Sequence, residues 1–246
     1  CHAPYVARLD ADDVALPTRL AEQMTYLDSH PEVGLLGTQV APLGDLDSGG
    51  SLRLPLDHDA IFRALLAGRH AMVHSTIIGR TALFNQVGGY WPLPTGEEYD
   101  LMLRIGEISR LANMDHVLLH WRVYEKNLTG SKMRMARFYI DYACELGRRR
   151  QIGEPHLTVG EFQAQRNARP RWQKLGEVIN VHARCQYRVA LAELHGGQRL
   201  RGSGRMAWAA LCAPRLTVER LVRVALSAGR LNLAERNNRD QFAGCK

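Results

Sequence analysis

The segment Tyr5-Val6-Ala7-Arg8-Leu9-Asp10-Ala11-Asp12-Asp13 constrains the chain most tightly. An apolar run leads into three closely spaced carboxylates, and Pro17 then opens a helical pattern. A buried strand ending in carboxylates is where an open α/β sheet places ligand chemistry. Two acids one residue apart at that point suit a hard divalent cation, with coordination positions left for phosphate oxygens. The same triplet also reads as a solvated acidic turn that caps the next helix. The residues beyond Asp13 decide between the two.

Residues 5–9 read as a buried strand. Pro17 suits the first turn of a helix, and Leu20, Met24 and Leu27 recur at helical spacing until His30-Pro31 ends the pattern. Residues 33–40 are β-rich, and 44–50 form a glycine- and acid-rich loop. Asp57 predicts an N-cap for a helix over 58–67, with Ile61 and Leu65 on one face, Phe62 and Leu66 beside them, and Gly68 as the stop. Residues 72–78 look strand-like and lead to a short helix over 81–87 that Gly88-Gly89 closes with a tight turn. A helix over 98–109 points Leu101, Ile105 and Ile108 inward, and 114–124 is the last strand. Beyond Glu125 only helices are expected: 131–150, ending in Arg148-Arg149-Arg150, then 171–195, 203–212 and 217–228. Thr158 and Glu161 have capping-box spacing, against which Gly160 weighs.

Two matches in register carry a family resemblance. The first runs from Tyr5 to Gly37, with Asp10-Ala11-Asp12, Pro17, Arg19-Leu20, Gln23, Leu27, Pro31 and Gly37 in place. The second comprises His74-Ser75-Thr76, Arg80, Val87-Gly88-Gly89-Tyr90 and Glu97-Glu98-Tyr99-Asp100-Leu101-Met102-Leu103-Arg104. Together they resemble family 2 glycosyltransferases of the GT-A fold over roughly residues 3–131. The resemblance implies an α/β fold: a partial GT-A sheet flanked by helices over 1–130, followed by an all-helical basic region over 131–246. It implies an inverting transfer of a sugar from a nucleotide-sugar donor to a hydroxyl of a glycan or lipid-linked acceptor. By that likeness Asp12 ligates Mg2+ or Mn2+, Asp10 binds the donor, Arg122 supports the diphosphate and Glu98 is the general base. His74 and Trp91 fall on the acceptor side. Asp13 reads as a turn or cap residue, and Asp100 with Arg104 as a structural pair.

The sequence departs from the family pattern in three ways. Glu98 stands where the family usually carries Asp, and Glu97 and Glu98 also suit a helix N-terminus through its dipole alone. Tyr124 replaces a His. The family's opening V-S-V-I-I-P-x-Y-N strand and D-D-x-S motif do not occur, and the chain opens on Cys1 close to a strand, as a fragment would.

Composition narrows the remaining classes. Apolar content of 46% and charged content of 23% are ordinary for a soluble domain of 246 residues, and no apolar run is long enough to span a bilayer. The five cysteines form no C-x-x-C and read as reduced cytoplasmic thiols; the ten histidines form no H-E-x-x-H. Residues 1–124 hold 9 Lys/Arg against 15 Asp/Glu, whereas 125–246 hold 23 against 10. The basic half suits peripheral contact with the inner face of a membrane; nucleic acid is the weaker expectation. The alternative from another class is a non-catalytic module that binds glycan or a partner through these helices. Lacking the family's opening motifs, this chain by itself is expected to bind UDP with Mn2+ more weakly than micromolar. Isothermal titration measures that directly.

Overall fold

Strand β3, Val33–Pro42, lies at the centre of the structure, a computed structural model describing residues 3–43, 53–122, 130–195 and 197–214. Its residues from Val33 to Val40 are buried on both faces, so the apolar residues do not alternate with exposed ones, and the polar Thr38 and Gln39 are buried with them. Leu35 and Leu36 point to opposite faces, as the two-residue period requires. Leu35 joins a core with Ile61, Leu65, Leu101, Ile105, Ala143 and Cys144. Leu36 joins another with Leu27, Val33, Ile78 and Ala112.

The five-stranded sheet has the order β1-β4-β3-β5-β2. Strand β5, Arg110–Trp121, runs parallel to β3; β1 (Tyr5–Ala7) pairs antiparallel with β4 (Ile78–Arg80), and β2 (Val14–Ala15) pairs antiparallel with β5. β1 and β2 therefore occupy opposite edges, although few residues separate them. Four strand spacings come to about 19 Å, and seven extended residues reach about 24 Å. The acidic segment has little slack and must cross the sheet between its edges.

Helix α1, Arg19–Ser29, differs from its expected orientation. Leu20 and Met24 are 50% and 42% exposed, while Arg19, Gln23 and Leu27 face inward. The reason is backbone hydrogen bonding. Arg19 Nη2 donates to Arg8 O at 2.8 Å, Arg19 Nε donates to Gln23 Oε1 at 3.0 Å, and Gln23 Nε2 donates to Thr76 O at 2.8 Å. Carbonyls on irregular segments beside the sheet would otherwise be buried without donors.

Helix α2, His58–Leu66, starts as expected, with Asp57 accepting from Ala60 N at 2.9 Å, and Gly68 closes it at φ 62°. The stretch expected as a strand over 72–78 is instead a 3-10 turn, His74–Thr76, before the short β4. Helix α3, Thr81–Gln86, ends at Gly88 and Gly89, both with positive φ. Helix α4, Glu97–Ile108, buries Leu101 and Ile105 but leaves Ile108 exposed where the helix ends and β5 begins. β5 starts at Arg110, four residues before the expected start.

Helices α5 (Gly130–Gln151) and α6 (Val159–Ala168) belong to the same compact unit as the sheet. Ala143 and Cys144 sit in its main core, and Tyr142, Leu146, Leu157 and Phe162 form an adjoining cluster. A boundary near residue 130 therefore does not follow the packing; the second unit takes up near Pro170. The Thr158–Glu161 capping box forms with both of its hydrogen bonds. Gly160, in the first turn, does not prevent it, and a Cβ there would meet nothing within 4 Å. The second unit contains α7 (Arg171–His195) and α8 (Arg199–Cys212), so α8 starts four residues before its expected start. The expected loop at 44–50, the helix at 217–228 and Tyr124 lie outside the described residues.

Gln23→Leu fills the same volume but removes the donor to Thr76 O and the acceptor for Arg19. Equilibrium denaturation should show a loss of about 2–4 kcal/mol, since buried partners are left unmade.

Candidate active site

The site assembles where three irregular segments meet: the exit of β1, the 3-10 turn and the start of α4. Arg8 leaves β1 with its backbone N–H on Ile77 O at 2.9 Å, so the first segment is tied to the second. Its guanidinium reaches forward to Asp10, with Nε and Nη2 donating to Oδ1 at 2.9 and 2.7 Å. Burial works against the Asp10 carboxylate, but hydrogen bonds from Arg8 and the Ser75 side chain outweigh it and hold its pKa below the ordinary value. Asp10 is thus a fixed anion.

The 3-10 turn presents His74, whose Nε2 lies 2.8 Å from the Tyr90 hydroxyl. Burial, then the nearby charge of Arg8, lowers the His74 pKa, so its ring is neutral at physiological pH. Potential ligand atoms of His74, Glu97 and Glu98 all lie within 4.8 Å of one another.

Helix α4 brings the two glutamates to this point because of how it begins. Its N-cap, Gly96, adopts φ 75°, and a Cβ there would lie 3.2 Å from Ile140 Cγ1 of α5. Only glycine takes that conformation cheaply in so close a fit. One turn along, Asp100 is fully buried and accepts from Arg104 Nε at 2.7 Å. Arg104 also donates to Val87 O, and to Gly89 O at 2.8 Å, and its guanidinium lies 5.3 Å over the Trp91 ring. The expected structural pair therefore does more than brace its own helix: it straps the double-glycine turn and so fixes Tyr90 opposite His74.

Glu98 has the most perturbed carboxylate. Burial raises its pKa to about 7, and the charges of Glu97 and Asp10 push in the same direction. Such a group exchanges a proton readily near neutral pH, as a general base needs. Neighbouring acids and desolvation that drive a pKa upward are common at functional sites.

The remaining expected residues take different positions. Asp12 is exposed on the turn closed by Asp13 N donating to Asp10 O at 3.2 Å. Arg122 clasps this turn, its Nε donating to Asp12 O at 3.2 Å and its N–H to Asp13 Oδ1 at 3.0 Å. Trp91 packs on the Tyr142, Leu146, Leu157 and Phe162 cluster and beside His156. Hence Asp10, His74 and Glu98 come together, with Arg8, Tyr90 and Glu97 added, while Trp91 faces the helical packing. Tyr90 and Arg8 both lay within the family-like stretches. No spacing rule marked them: Tyr90 finds its partner 16 positions away, and the Arg8–Asp10 pair depends on how the chain leaves β1.

No family model matches the chain. It is 32% identical over 123 residues to the amylovoran biosynthesis glycosyltransferase AmsE of Erwinia amylovora, a match covering 50% of this chain and 46% of that protein. It is 28% identical over 137 residues to the O-antigen biosynthesis glycosyltransferase WbnJ of Escherichia coli, covering 54% and 53%. The chain spans about half the length of these curated relatives. Among solved structures, S. aureus TarS 1–349 aligns at 15% identity and a TM-score of 0.41 over 88% of this chain and 68% of that one.

A raised carboxylate pKa contributes stability that is present below the unfolded value and lost as pH climbs through the folded one. Glu98→Gln removes that loss. Its stability relative to the parent, from denaturant unfolding at pH 5 and pH 8, should therefore improve at the higher pH.

Proposed function

We propose that this chain is the acceptor- and base-bearing part of an inverting family 2 glycosyltransferase of the GT-A type, moving a sugar from a nucleotide-diphosphate donor to a hydroxyl of a glycan or lipid-linked acceptor. The observation that carries the reading is Glu98, a carboxylate with a pKa of about 7 beside Asp10 and His74. Similarity to glycosyltransferases over half the chain supports it.

In this reading Glu98, ionised as the pH passes 7, takes the proton from the attacking hydroxyl. The neutral His74–Tyr90 pair orients that acceptor, offering a donor and an acceptor of hydrogen bonds without a competing charge. Asp10, held ionised by Arg8, binds hydroxyls of the donor's ribose or sugar. Attack by one base on one face gives inversion in a single displacement.

In the same reading a hard divalent ion would be held by Asp12, an exposed carboxylate on a turn whose backbone Arg122 bonds, two positions after Asp10. When bound there, Mg2+ or Mn2+ would supply neutralising charge for the departing diphosphate. Arg122, already at the turn, would add to it.

Two measurements on the whole protein test the assignment. Glu98→Gln should lower kcat about 100-fold or more while donor affinity stays within about twofold, as expected when a general base is lost. A near-parental rate would overturn the base assignment. The parent's kcat/KM should rise with pH through about 7, following ionisation of Glu98.

A further inference from the structure

The second unit carries a surface that the transfer chemistry does not use. Helix α8 packs its inner side on α7: Gly202, Ala209 and Ala213 are buried, and a Cβ on Gly202 would lie 2.6 Å from Leu194 Cγ. Arg205 Nε donates to Glu193 Oε1 at 2.9 Å, and Arg205 Nη1 to Gln186 Oε1 at 2.7 Å, along one flank of that seam. The inner side is therefore committed to α7.

The outer side is nevertheless apolar. Leu200, Gly204, Ala207 and Leu211 recur at helical spacing, and Trp208 adjoins them. Leu200 is 93% exposed, Leu211 77% and Trp208 54%. The Trp208 indole N–H donates to His182 Nε2 at 3.3 Å, which anchors the ring at the margin of this face. α8 also carries Arg199, Arg201 and Arg205 and no carboxylate.

We propose that the outer face of α8 is a docking surface for an anionic lipid bilayer, with Leu200 and Leu211 entering the headgroup–acyl boundary and Trp208 at the interface. An apolar stripe flanked by arginines, with a tryptophan at its edge, has the composition of a helix that lies in the membrane plane. No helix among the described residues is long and apolar enough to cross a membrane, so the contact is superficial. Charge complementarity selects the occupant. Arg205 is taken up by Glu193, which leaves Arg199 and Arg201 flanking the stripe; a second copy would set its own Arg199 and Arg201 against them, and two leucines with one tryptophan fall well short of a stable protein interface of about 800 Å² per partner. Nucleic acid would meet the arginines, but aliphatic leucines offer bases nothing to stack on.

Four basic residues of α5 are already paired, Arg137 with Asp141 among them. Arg148 and Arg149 pair with Glu145, and Arg150 pairs with Glu107 at 2.8 Å. The positive charge of the carboxyl-terminal half is thus partly consumed inside the first unit.

The test uses the full chain with sedimented vesicles of phosphatidylcholine alone or with phosphatidylglycerol. Retention should be at least about fivefold higher on the anionic vesicles and should fall as salt is raised, since surface arginines are drawn to anionic headgroups and salt screens that attraction. Leu200→Ser with Leu211→Ser should cut retention at least about fivefold by removing the buried apolar area. Both leucines are exposed, so circular dichroism and thermal unfolding should not change. Arg201→Gln should weaken the salt dependence, and a blue shift of tryptophan emission on anionic vesicles should be lost in Trp208→Phe. Equal retention on both vesicle types overturns the proposal, as does retention that survives the double substitution. Tighter binding to DNA that ignores the leucines overturns it in favour of nucleic acid. A concentration-dependent dimer abolished by the same substitutions overturns it in favour of a second copy.

Discussion

A buried guanidinium without a carboxylate partner organises the first unit. Arg19 lies almost wholly inside the protein, and its hydrogen bonds go to Gln23 and to the carbonyls of Arg8 and Ile77. Gln23 extends the same bridge to Thr76 and Leu36. The carbonyls of Arg8 and Thr76 belong to segments that have just left, or are about to enter, the sheet. In a low-dielectric interior an unmade hydrogen bond costs more than a made one returns. The pair therefore decides where the exit of β1 and the 3-10 turn can lie, and with them Asp10 and His74.

A second buried arginine performs the matching task on the opposite side of the site. Arg104, neutralised by Asp100, holds Val87 O and Gly89 O and lies against Trp91. The strap leaves Tyr90 facing His74, a partner 16 positions away that no single element could bring to it. Between these supports the charges are unequal: Asp10, Glu97 and Glu98 gather beside Arg8. Asp10 receives its cation directly and stays ionised. Glu98 receives mainly burial and like charge, so its proton affinity rises. Two carboxylates with separated proton affinities can divide binding and proton transfer between them.

The charge asymmetry along the chain also acquires a structural meaning. Part of the positive charge beyond residue 125 returns to the acids of the α/β unit through α5, as in the Arg150–Glu107 pair. Arg199 and Arg201 of α8, by contrast, lie on a helix without a carboxylate. A net charge is thus a poor guide to a binding face until its internal pairs are removed from the count.

Local features were legible in the amino-acid order. The Asp57 cap, the Thr158–Glu161 box, the Gly88-Gly89 turn, the β-rich stretch of β3 and the Asp100–Arg104 pair all depend on residues a few positions apart. Their chemistry acts at that range. Asp10, His74 and Glu98, expected from short family-like stretches, lie near one another in the fold. What the amino-acid order left open depends on neighbours far along the chain. Leu20 and Met24 have the period of a buried face, yet carbonyls at Arg8, Thr76 and Ile77 draw Arg19 and Gln23 inward. A basic helix reads as a free tail until Ala143 and Cys144 enter the core and Arg150 finds Glu107. Tyr90 and Arg8 gain their places only when the turn, the strand exit and the helix start converge. Periodicity records which face of an element is apolar; tertiary packing alone decides which buried polar groups must be answered, and by which side chains.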